Sequence, residues 1–498
     1  MDLHEQCGRF VLYGLDISPL VSGLRLPRSL PVLFLQGEEL VEDDIQDLLY
    51  LLASHKLQAR LFLLVVSAGG ERLRNTRALL DRWLAVRAYE PIVVTQEEFK
   101  QITLAKGPLL GQGAQKSLRT TILRQVNLQT ISPFVRVGPT PEQMFFGRES
   151  ELRAISVSEG TRCQALIGGR RIGKTSLLFR LHRVELPQAG FESFYHDCTY
   201  TPSYESFIGA RVENGRVKSA SPIFLGHNPF MRDLLLDSPR DKPFILLLDE
   251  VDKLIREEPK HNWRLFKTLS AATNSGQVRV ILSGERGLLS VLRDSTSPLG
   301  NWAKQLYLGR LSCREVERLV MQPMKQLEIE VVNPAKIVHL IYNFTSGHPN
   351  VVQRLCHRLL GHLVQSGSHR LLPNHVVDVI NDPSFQYDDF LQVYWESSTV
   401  LEKIVCLLLA DKKNEVHTLK SVCQELAWRC GLFPLAQEVK STLQSLLLLR
   451  NLLNKTPQGY SFAVPSFPQV IDRVITLQDV LEVLIEEYQE NQDTVRTV

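Results

Sequence analysis

The sequence predicts a multidomain α/β protein with a parallel sheet in its central domain, on three observations. The chain has 498 residues, and about 150 residues per domain suggests about three domains. Strand and helix patterns alternate over residues 31–99 and again over residues 163–183, which is typical of parallel sheets with helical crossovers. A run of apolar residues at 244–248 indicates a central strand buried on both faces.

Residues 1–105 are predicted to form a small Rossmann-like α/β module. Three strand patterns, PVLFLQ, ARLFLLVVS and PIVVT, are separated by the helical patterns EDDIQDLLYLLASHK and ERLRNTRALLDRWLAV. This order predicts a small parallel sheet of doubly wound type. Glu98-Phe99-Lys100 weakly resembles the ExK pattern of some nucleases. The favoured interpretation of the acids near these helix starts is that they complement helix dipoles.

Residues 106–142 are predicted to link this module to the next domain. A helical pattern, KSLRTTILRQVNL, is followed by residues 131–141, which contain three prolines and one glycine. Proline fixes φ and removes a backbone donor, so this segment favours an extended strap over a helix.

A glycine-rich segment lies between a short buried strand pattern, CQALI, and the helical pattern TSLLFRLHR. It fills every fixed position of the phosphate-binding pattern GxxxxGKS/T and is followed by a serine; the residues are Gly168, Gly169, Arg170, Arg171, Ile172, Gly173, Lys174, Thr175 and Ser176. Glycines let backbone N–H groups point at phosphates, Lys174 would reach the β and γ oxygens, and Thr175 would ligate Mg²⁺. The chain is therefore predicted to bind a nucleotide with Mg²⁺.

Two acids follow the apolar strand at 244–248. Asp249 is the predicted second Mg²⁺ ligand, and Glu250 is the predicted base that orients and polarises the attacking water. Together with Lys174 they form the predicted catalytic set. Arg170 and Arg171 either stabilise transferred charge or bind a partner's acids, and one of them is expected to face solvent.

Composition excludes several classes of protein. Lys and Arg number 57 against 54 Asp and Glu, so the formal net charge is only +3, and no strongly basic nucleic-acid footprint covers the whole chain. The longest apolar runs fall far short of the roughly 20 residues that cross a bilayer, and the start shows no signal-peptide pattern. The expectation is a cytoplasmic protein without a membrane partner. Its eight cysteines show no CxxC pair and no zinc-ligand spacing.

The rest of the chain divides into four predicted parts. Residues 143–310 form the core around the phosphate loop, 311–395 a helical lid, 396–475 a winged helix-turn-helix, and 476–498 a C-terminal helix with an apolar stripe suited to docking or self-association. The winged-helix prediction rests on the helical patterns TVLEKIVCLLLADK, LKSVCQELAWRCG and AQEVKSTLQSLLLLRNL, followed by a β-wing pattern, LLNKTPQGYSFAVP. Residues 435–452 offer only Lys440, Arg450 and Asn451 among leucines, so packing against the core is favoured over DNA reading.

Five motifs in order resemble a known family. FFGRESEL, GGRRIGKTSLL, LLLDEVDKL, VILSGERGL and SGHPNVVQRL resemble the signal-transduction ATPases with numerous domains (STAND) and the related archaeal-type AAA+ ATPases, over about residues 131–472. The resemblance implies a P-loop NTPase core. It also implies that Gly147 and Arg148 border the adenine and ribose, that Ser283 or Arg286 reports the γ-phosphate, and that His348 and Pro349 of the lid contact the nucleotide.

The resemblance implies an ATPase that acts as a slow, nucleotide-dependent switch in signalling or defence. Such a switch is expected to assemble with itself in the ATP state and to work with an unknown protein partner. A trans-acting arginine finger stays open between Arg256, Arg310 and other arginines. Two alternatives remain: an ATP-gated DNA loader or transcription regulator that uses the winged helix, and an N-terminal effector enzyme controlled by the ATPase.

Overall fold

The computed structural model describes residues 2–17, 26, 29–54, 61–67, 69–84, 89–103, 112–156, 162–201, 211–213, 216–218, 244–274, 276, 278–300, 302–412 and 415–496. Residues 106–111 of the predicted linker lie outside this part. The chain divides into two compact units. Unit 1 comprises Met1–Phe134, Val320–Pro334 and Cys356–His375; unit 2 comprises Val135–Leu319, Ala335–Leu355 and Val376–Val498.

Unit 1 contains a five-stranded sheet in the order β1-β2-β3-β4-β5. Its strands are β1 Asp2–Cys7, β2 Phe10–Asp16, β3 Ser29–Leu35, β4 Leu61–Val66 and β5 Glu90–Thr95. Strands β3, β4 and β5 are parallel, as predicted. Strands β1 and β2, which the sequence patterns did not predict, add antiparallel pairs, so the complete sheet is mixed. A two-residue turn joins β1 to β2, and so short a connection requires antiparallel neighbours.

Helices cover this sheet and supply its core. They are α1 Asp44–Ser54, α2 Glu71–Leu84, α3 Gln96–Thr103 and α4 Gln112–Gln125. Every residue of β4 is buried, and Phe62 and Leu64 of that strand share one apolar cluster with Leu48 and Leu80 of the first two helices. The helix-strand alternation of the sequence therefore places one stripe of each helix against the sheet.

Unit 2 contains a five-stranded parallel sheet in the order β12-β6-β11-β10-β7. Its strands are β6 Cys163–Ile167, β7 Ser193–Asp197, β10 Phe244–Asp249, β11 Val278–Gly284 and β12 Lys304–Tyr307. A separate hairpin joins β8 Arg211–Glu213 to β9 Arg216–Lys218. Because β11 lies between β6 and β10, the carboxyl ends of these three strands meet at one edge, where α/β sheets present ligands.

Helices pack on both faces of this sheet. They are α5 Glu149–Ser156, α6 Lys174–Arg180 with its π-helical continuation Leu181–Glu185, α7 Leu186–Gln188, α8 Asp252–Glu257, α9 Arg264–Asn274 and α10 Arg286–Arg293; short 3₁₀ turns span Glu142–Met144, Cys198–Tyr200 and Glu258–His261. Successive residues of β10 belong to different apolar clusters. Leu246 shares one cluster with Leu265, and Leu247 shares another with Leu177. The strand is buried on both faces, as its apolar run predicts.

Residues 311–395 are largely helical, as predicted. The helices are α11 Cys313–Gln326, α12 Pro334–Thr345, α13 Pro349–Gln365, α14 Pro373–Asn381 and α15 Gln392–Trp395, with a π-helical segment at Phe385–Leu391. Strands β13 Glu330–Val331 and β14 Arg370–Leu371 form a short parallel pair. Three of these helices begin at a proline, whose fixed φ suits the first helical position.

Residues 400–496, called the C-terminal module here, contain three helices, a hairpin and two further helices. They are α16 Val400–Asp411, α17 Leu419–Cys430, α18 Ala436–Leu448, the antiparallel strands β15 Leu453–Thr456 and β16 Gly459–Phe462, α19 Ser466–Val474 and α20 Leu477–Arg496. A capping box between Thr399 and Glu402 begins α16, which satisfies two backbone donors of its first turn. Residues Leu449, Arg450 and Asn451, called the 449–451 turn, join α18 to β15.

Candidate nucleotide-binding site

The glycine-rich segment connects β6 to α6 at the carboxyl edge of the unit 2 sheet. Gly173 has φ of 105°, which is a conformation that glycine adopts without strain. Lys174 follows and is buried. Its Nζ donates to the carbonyls of Gly168 at 3.0 Å and Gly169 at 3.1 Å. The loop therefore wraps around its own lysine and holds the ammonium group at the sheet edge.

Asp249 ends β10 beside the loop. It is 1% exposed, and its Oδ2 accepts hydrogen bonds from Thr175 Oγ1 at 2.6 Å and from Tyr195 Oη at 3.1 Å. Burial and nearby acids, Asp249 first, raise the pKa of Tyr195, so its hydroxyl stays a donor. The structure thus brings together the two predicted Mg²⁺ ligands, and Tyr195 is a neighbour that the sequence patterns did not indicate.

Glu250 follows Asp249 in a left-handed conformation, with φ of 51°. Such a backbone is uncommon for a residue other than glycine, and it turns the chain sharply after β10. Glu250 N donates to Asp249 Oδ1 at 3.0 Å. Burial raises the pKa of the Glu250 carboxyl, Lys174 opposes this, and the charges of Asp249 and Glu285 add to it. A half-buried carboxyl with a raised pKa next to the phosphate loop fits a proton acceptor.

Two residues at the end of β11 face the same edge. Ser283 is fully buried, and its Oγ has no hydrogen-bond partner among the described residues. Glu285 Oε1 lies 3.8 Å from Lys174 Nζ. The Asp252 carboxylate fixes the backbone between β11 and α10, because it accepts hydrogen bonds from the N–H groups of Glu285 at 2.6 Å and Gly287 at 2.5 Å. Sequence reasoning selected Ser283 but missed the roles of Glu285 and Asp252.

The 449–451 turn packs directly on the phosphate loop. A Cβ placed on Gly169 would lie 1.9 Å from the Leu449 carbonyl oxygen, so only glycine fits there. Arg450 from the same turn is 4% exposed, and its Nη2 lies 3.9 Å from Glu285 Oε2. The only sequence signal for this contact is an arginine at the end of a leucine-rich helix.

The two loop arginines share one acidic partner. Arg171 Nη2 lies 3.0 Å and Arg170 Nη1 lies 3.5 Å from Glu396 Oε2, just before the C-terminal module. The Arg170 side chain is 59% exposed and that of Arg171 is 21% exposed. Arg170 thus agrees with the expectation that one of the pair faces solvent, whereas Glu396 was not foreseen.

Arg148 contacts the phosphate loop, and Gly147 precedes it in the chain. Arg148 is buried with φ of 69°, and its Nη2 donates to the carbonyls of Ile172 at 3.1 Å and Gly309 at 2.6 Å. A Cβ on Gly147 would collide with Glu315, whose Oε1 accepts from Arg148 N at 2.9 Å. The Arg148 guanidinium therefore links the phosphate loop to Gly309, just after β12, by hydrogen bonds.

His348 and Pro349 begin α13. His348 is buried and packs against the Tyr394 ring at 5.3 Å between centroids. Burial lowers the pKa of His348 to about 3, and the charges of Arg148, Arg310 and Arg171 contribute. Its Nδ1 has no hydrogen-bond partner among the described residues.

The remaining candidate arginines lie in three settings. Arg286 Nη2 pairs with Glu402 Oε1 of the C-terminal module at 2.8 Å. Arg310 Nη1 donates to the Ala463 carbonyl at 2.5 Å, so in this structure it contacts its own chain. Arg256 is exposed on α8. Ser176, which follows the loop motif, is buried, and its Oγ accepts from Thr140 N at 2.9 Å.

The described residues give no support for a catalytic role of Glu98 or for a metal site made of protein side chains alone. Glu98 Oε2 accepts from Thr95 N at 2.8 Å and caps α3, as the helix-start interpretation predicts. Within the described residues no group of His, Cys, Asp and Glu side chains could hold a metal by itself. The cysteines are free thiols. No helix among the described residues is long and apolar enough to cross a membrane.

The residues present fit a nucleoside triphosphate with Mg²⁺. The loop offers an ammonium group, Thr175 and Asp249 offer oxygen ligands of the kind Mg²⁺ prefers, and Ser283 Oγ is a buried polar atom without a partner in the described chain. Fold and site together define a multidomain α/β protein with a phosphate loop at the carboxyl edge of a parallel sheet.

No family model matches the chain, and no curated protein matches it. Among solved structures it is similar to the Walker-type ATPase PABY2304 of Pyrococcus abyssi, at 16% identity over 68% of this chain and 99% of that chain, with a TM-score of 0.46. It is also similar to the ORC2 protein of Aeropyrum pernix, at 14% identity over 70% and 98%, with a TM-score of 0.46. A third is the RuvB Holliday junction branch migration motor of Thermotoga maritima, at 15% identity over 66% and 95%, with a TM-score of 0.36. At these scores the resemblances assign no family to the chain.

Proposed function

We propose that this protein binds and slowly hydrolyses Mg²⁺-ATP, and that the nucleotide state sets the position of its C-terminal module and its assembly. The family resemblance favours signalling or defence as the setting of such a STAND-like switch. In this proposal the C-terminal module acts as a winged helix that regulates the core.

Each residue of the site has a defined role in this proposal. Lys174 and the loop backbone bind the phosphates, and Thr175 and Asp249 hold Mg²⁺. When bound, Mg²⁺ neutralises charge on the phosphate oxygens. Glu250 orients the attacking water and accepts its proton, for which the raised pKa of its carboxyl is suited. The hydroxyl of Ser283 donates to the water or to the phosphate.

The observation that carries the switch is the contact of the Leu449 carbonyl with Gly169 in the middle of the phosphate loop. Two further ion pairs lie nearby: Glu396, just before the C-terminal module, pairs with both loop arginines, and Arg286 of α10 pairs with Glu402 of that module. If the phosphate loop changes conformation when it binds phosphates, its contact with the Leu449 carbonyl has to change as well. Close-packed surfaces adopt discrete arrangements rather than deforming continuously. Nucleotide binding is therefore coupled to the C-terminal module.

Mass and shape in solution test the proposal. Light scattering and small-angle X-ray scattering would be recorded with Mg²⁺-ADP, with Mg²⁺-ATP, and with Mg²⁺-ATP on Glu250→Gln, which retains ATP. We expect ATP on Glu250→Gln to change mass or radius relative to ADP, and Lys174→Ala to show no response. Identical mass and shape in every nucleotide state would refute the switch.

A further inference from the structure

Glu285 holds two cations of the nucleotide site together. Its Oε1 lies 3.8 Å from Lys174 Nζ and its Oε2 lies 3.9 Å from Arg450 Nη2. Lys174 belongs to the phosphate loop and Arg450 to the 449–451 turn. One carboxylate thus bridges the loop and the C-terminal module at the point where the loop lysine is placed.

These contacts are longer than hydrogen bonds. Direct charge-assisted hydrogen bonds span about 2.7–2.9 Å, and Glu285 Oε1 has no hydrogen-bond donor among the described residues. A phosphate group offers three oxygens and more charge, so it binds lysine and arginine more strongly than one carboxylate at such distances. Glu285 is therefore an anion that a phosphate can replace.

Arg450 lies between Glu285 and a second acid, Glu402. Its guanidinium is fixed from behind by Ser397, whose hydroxyl accepts from Nη1 at 2.7 Å and whose carbonyl accepts from Nη2 at 2.6 Å. Glu402 lies 3.5 Å from Arg450 Nε but already has Arg286 at 2.8 Å. Glu402 is thus paired with the partly exposed Arg286 as well as with Arg450.

The same guanidinium borders the loop itself. Arg450 Nη1 lies 3.7 Å from the position that a Cβ on Gly169 would take, and its side chain is 3% exposed. A buried guanidinium beside a phosphate loop, with a loosely held anion between it and the loop lysine, is suited to bidentate recognition of phosphate.

We propose that Arg450 binds the terminal phosphate of ATP, and that Glu285 is an internal anion that this phosphate replaces between Lys174 and Arg450. This inference rests on the proposed binding of ATP and deepens it. ADP lacks the terminal phosphate and leaves Glu285 in place. Arg450 therefore distinguishes ATP from ADP, and it links that distinction to the 449–451 turn.

Calorimetric titration of the full chain with Mg²⁺-ADP and with the non-hydrolysable analogue Mg²⁺-AMP-PNP tests the assignment. Arg450→Gln is expected to weaken AMP-PNP about 10- to 100-fold, as for loss of a hydrogen bond to a charged group, and to change ADP by less than about threefold. Arg450→Lys is expected to restore part of the AMP-PNP affinity. Glu285→Gln keeps the side-chain shape and is expected to tighten AMP-PNP more than ADP.

Arg293→Gln is the control, because Arg293 of α10 also contacts the C-terminal module, through Gln444 of α18, but forms no ion pair with Glu285 among the described residues. It is expected to leave both affinities unchanged. Equal weakening of both nucleotides by Arg450→Gln, or weaker AMP-PNP binding by Glu285→Gln, would overturn the assignment while leaving ATP binding intact. If Arg450→Gln fails to fold by circular dichroism, Glu285→Gln decides. Failure of the wild-type chain to bind either nucleotide would refute the proposed function itself, and this inference with it.

Discussion

At the scale of single residues, the site places two adjacent carboxylates in different surroundings. Asp249 is buried and accepts hydrogen bonds from Thr175, Tyr195 and the backbone of Glu250. Glu250 is half-buried, its backbone is left-handed, and burial raises the pKa of its carboxyl. Environments that differ in this way assign different roles to paired acids: Asp249 is suited to hold a cation and Glu250 to accept a proton.

Replacing Glu250 by Gln should separate binding from hydrolysis. Glutamine keeps the shape but cannot accept a proton, so we expect hydrolysis to fall by about 10²- to 10⁴-fold, with ADP affinity nearly unchanged. In the wild type the deprotonated carboxylate is the active form. Because the pKa of Glu250 is raised above the ordinary glutamate value of 4.5, the rate should decline on acidification at a higher pH than for an ordinary glutamate.

Steady-state phosphate release across pH 5–8, beside calorimetric ADP binding, measures both effects. Glu257→Gln, at the end of α8 where the side chain pairs with Lys260, is the control and should leave the rate unchanged. A Glu250→Gln variant that hydrolyses ATP at the wild-type rate would exclude Glu250 as the base.

His348 should make the folded state sensitive to acid. Burial lowers its pKa to about 3 in the folded protein, from an ordinary value of 6.5. Below pH 6.5 the unfolded chain therefore binds a proton that the folded chain binds only near pH 3, and stability falls as pH decreases through this window. The loss is at most about 1.4 kcal/mol per pH unit.

Urea unfolding at pH 7, 6 and 5 of the wild type, His348→Asn and His339→Asn tests this expectation. His339 is exposed on α12, so its variant should keep the wild-type dependence. His348→Asn should show a shallower dependence even if it is less stable at pH 7. An unchanged slope in His348→Asn would show that the buried imidazole does not carry the effect.

At the scale of elements, the local parts of the site were predictable and their partners were not. The loop pattern, the apolar run of β10 and the helical spacing of the C-terminal module each lie within one short stretch, so their period and glycine positions reveal them. The contact of Leu449 with Gly169 and the bridge from Lys174 through Glu285 to Arg450 join distant stretches. Only tertiary packing fixes such pairs, and no pattern of spacing encodes them.

Gly169→Ala should detach the 449–451 turn from the phosphate loop. The new methyl group would lie 1.9 Å from the Leu449 carbonyl oxygen, and overpacking of this kind costs about 1–3 kcal/mol. Backbone amides around the 449–451 turn and β15 should therefore exchange hydrogen faster, as measured by mass spectrometry.

Gly309→Ala is a control at the same turn. Its Cβ would meet only Asn451 Oδ1, at 3.8 Å, which is ordinary contact, so we expect exchange as in the wild type. If Gly169→Ala exchanges no faster than Gly309→Ala, the loop and the turn are not packed as described.

At the scale of the whole molecule, the alternation of strands and helices predicted two α/β sheets, and both are present. The two antiparallel strands at the start of unit 1 were missed, because the alternating pattern from which the sheet was predicted begins only at residue 31. The division into units also differs from a simple succession of segments: Val320–Pro334 and Cys356–His375 belong to unit 1 although they follow the phosphate loop in sequence. The unit to which such a segment belongs depends on long-range packing.

Because the whole phosphate loop belongs to unit 2, nucleotide should stabilise the two units unequally. A ligand at one hundred times its Kd adds about 2.7 kcal/mol to the structure that binds it, which slows hydrogen exchange through unfolding by about 100-fold. We expect this slowing with Mg²⁺-ADP for β10 of unit 2 and little change for β4 of unit 1. Lys174→Ala should abolish the effect, whereas Lys253→Ala, on the exposed face of α8, should retain it. Equal slowing in β4 and β10 would mean that the two units unfold as one cooperative structure.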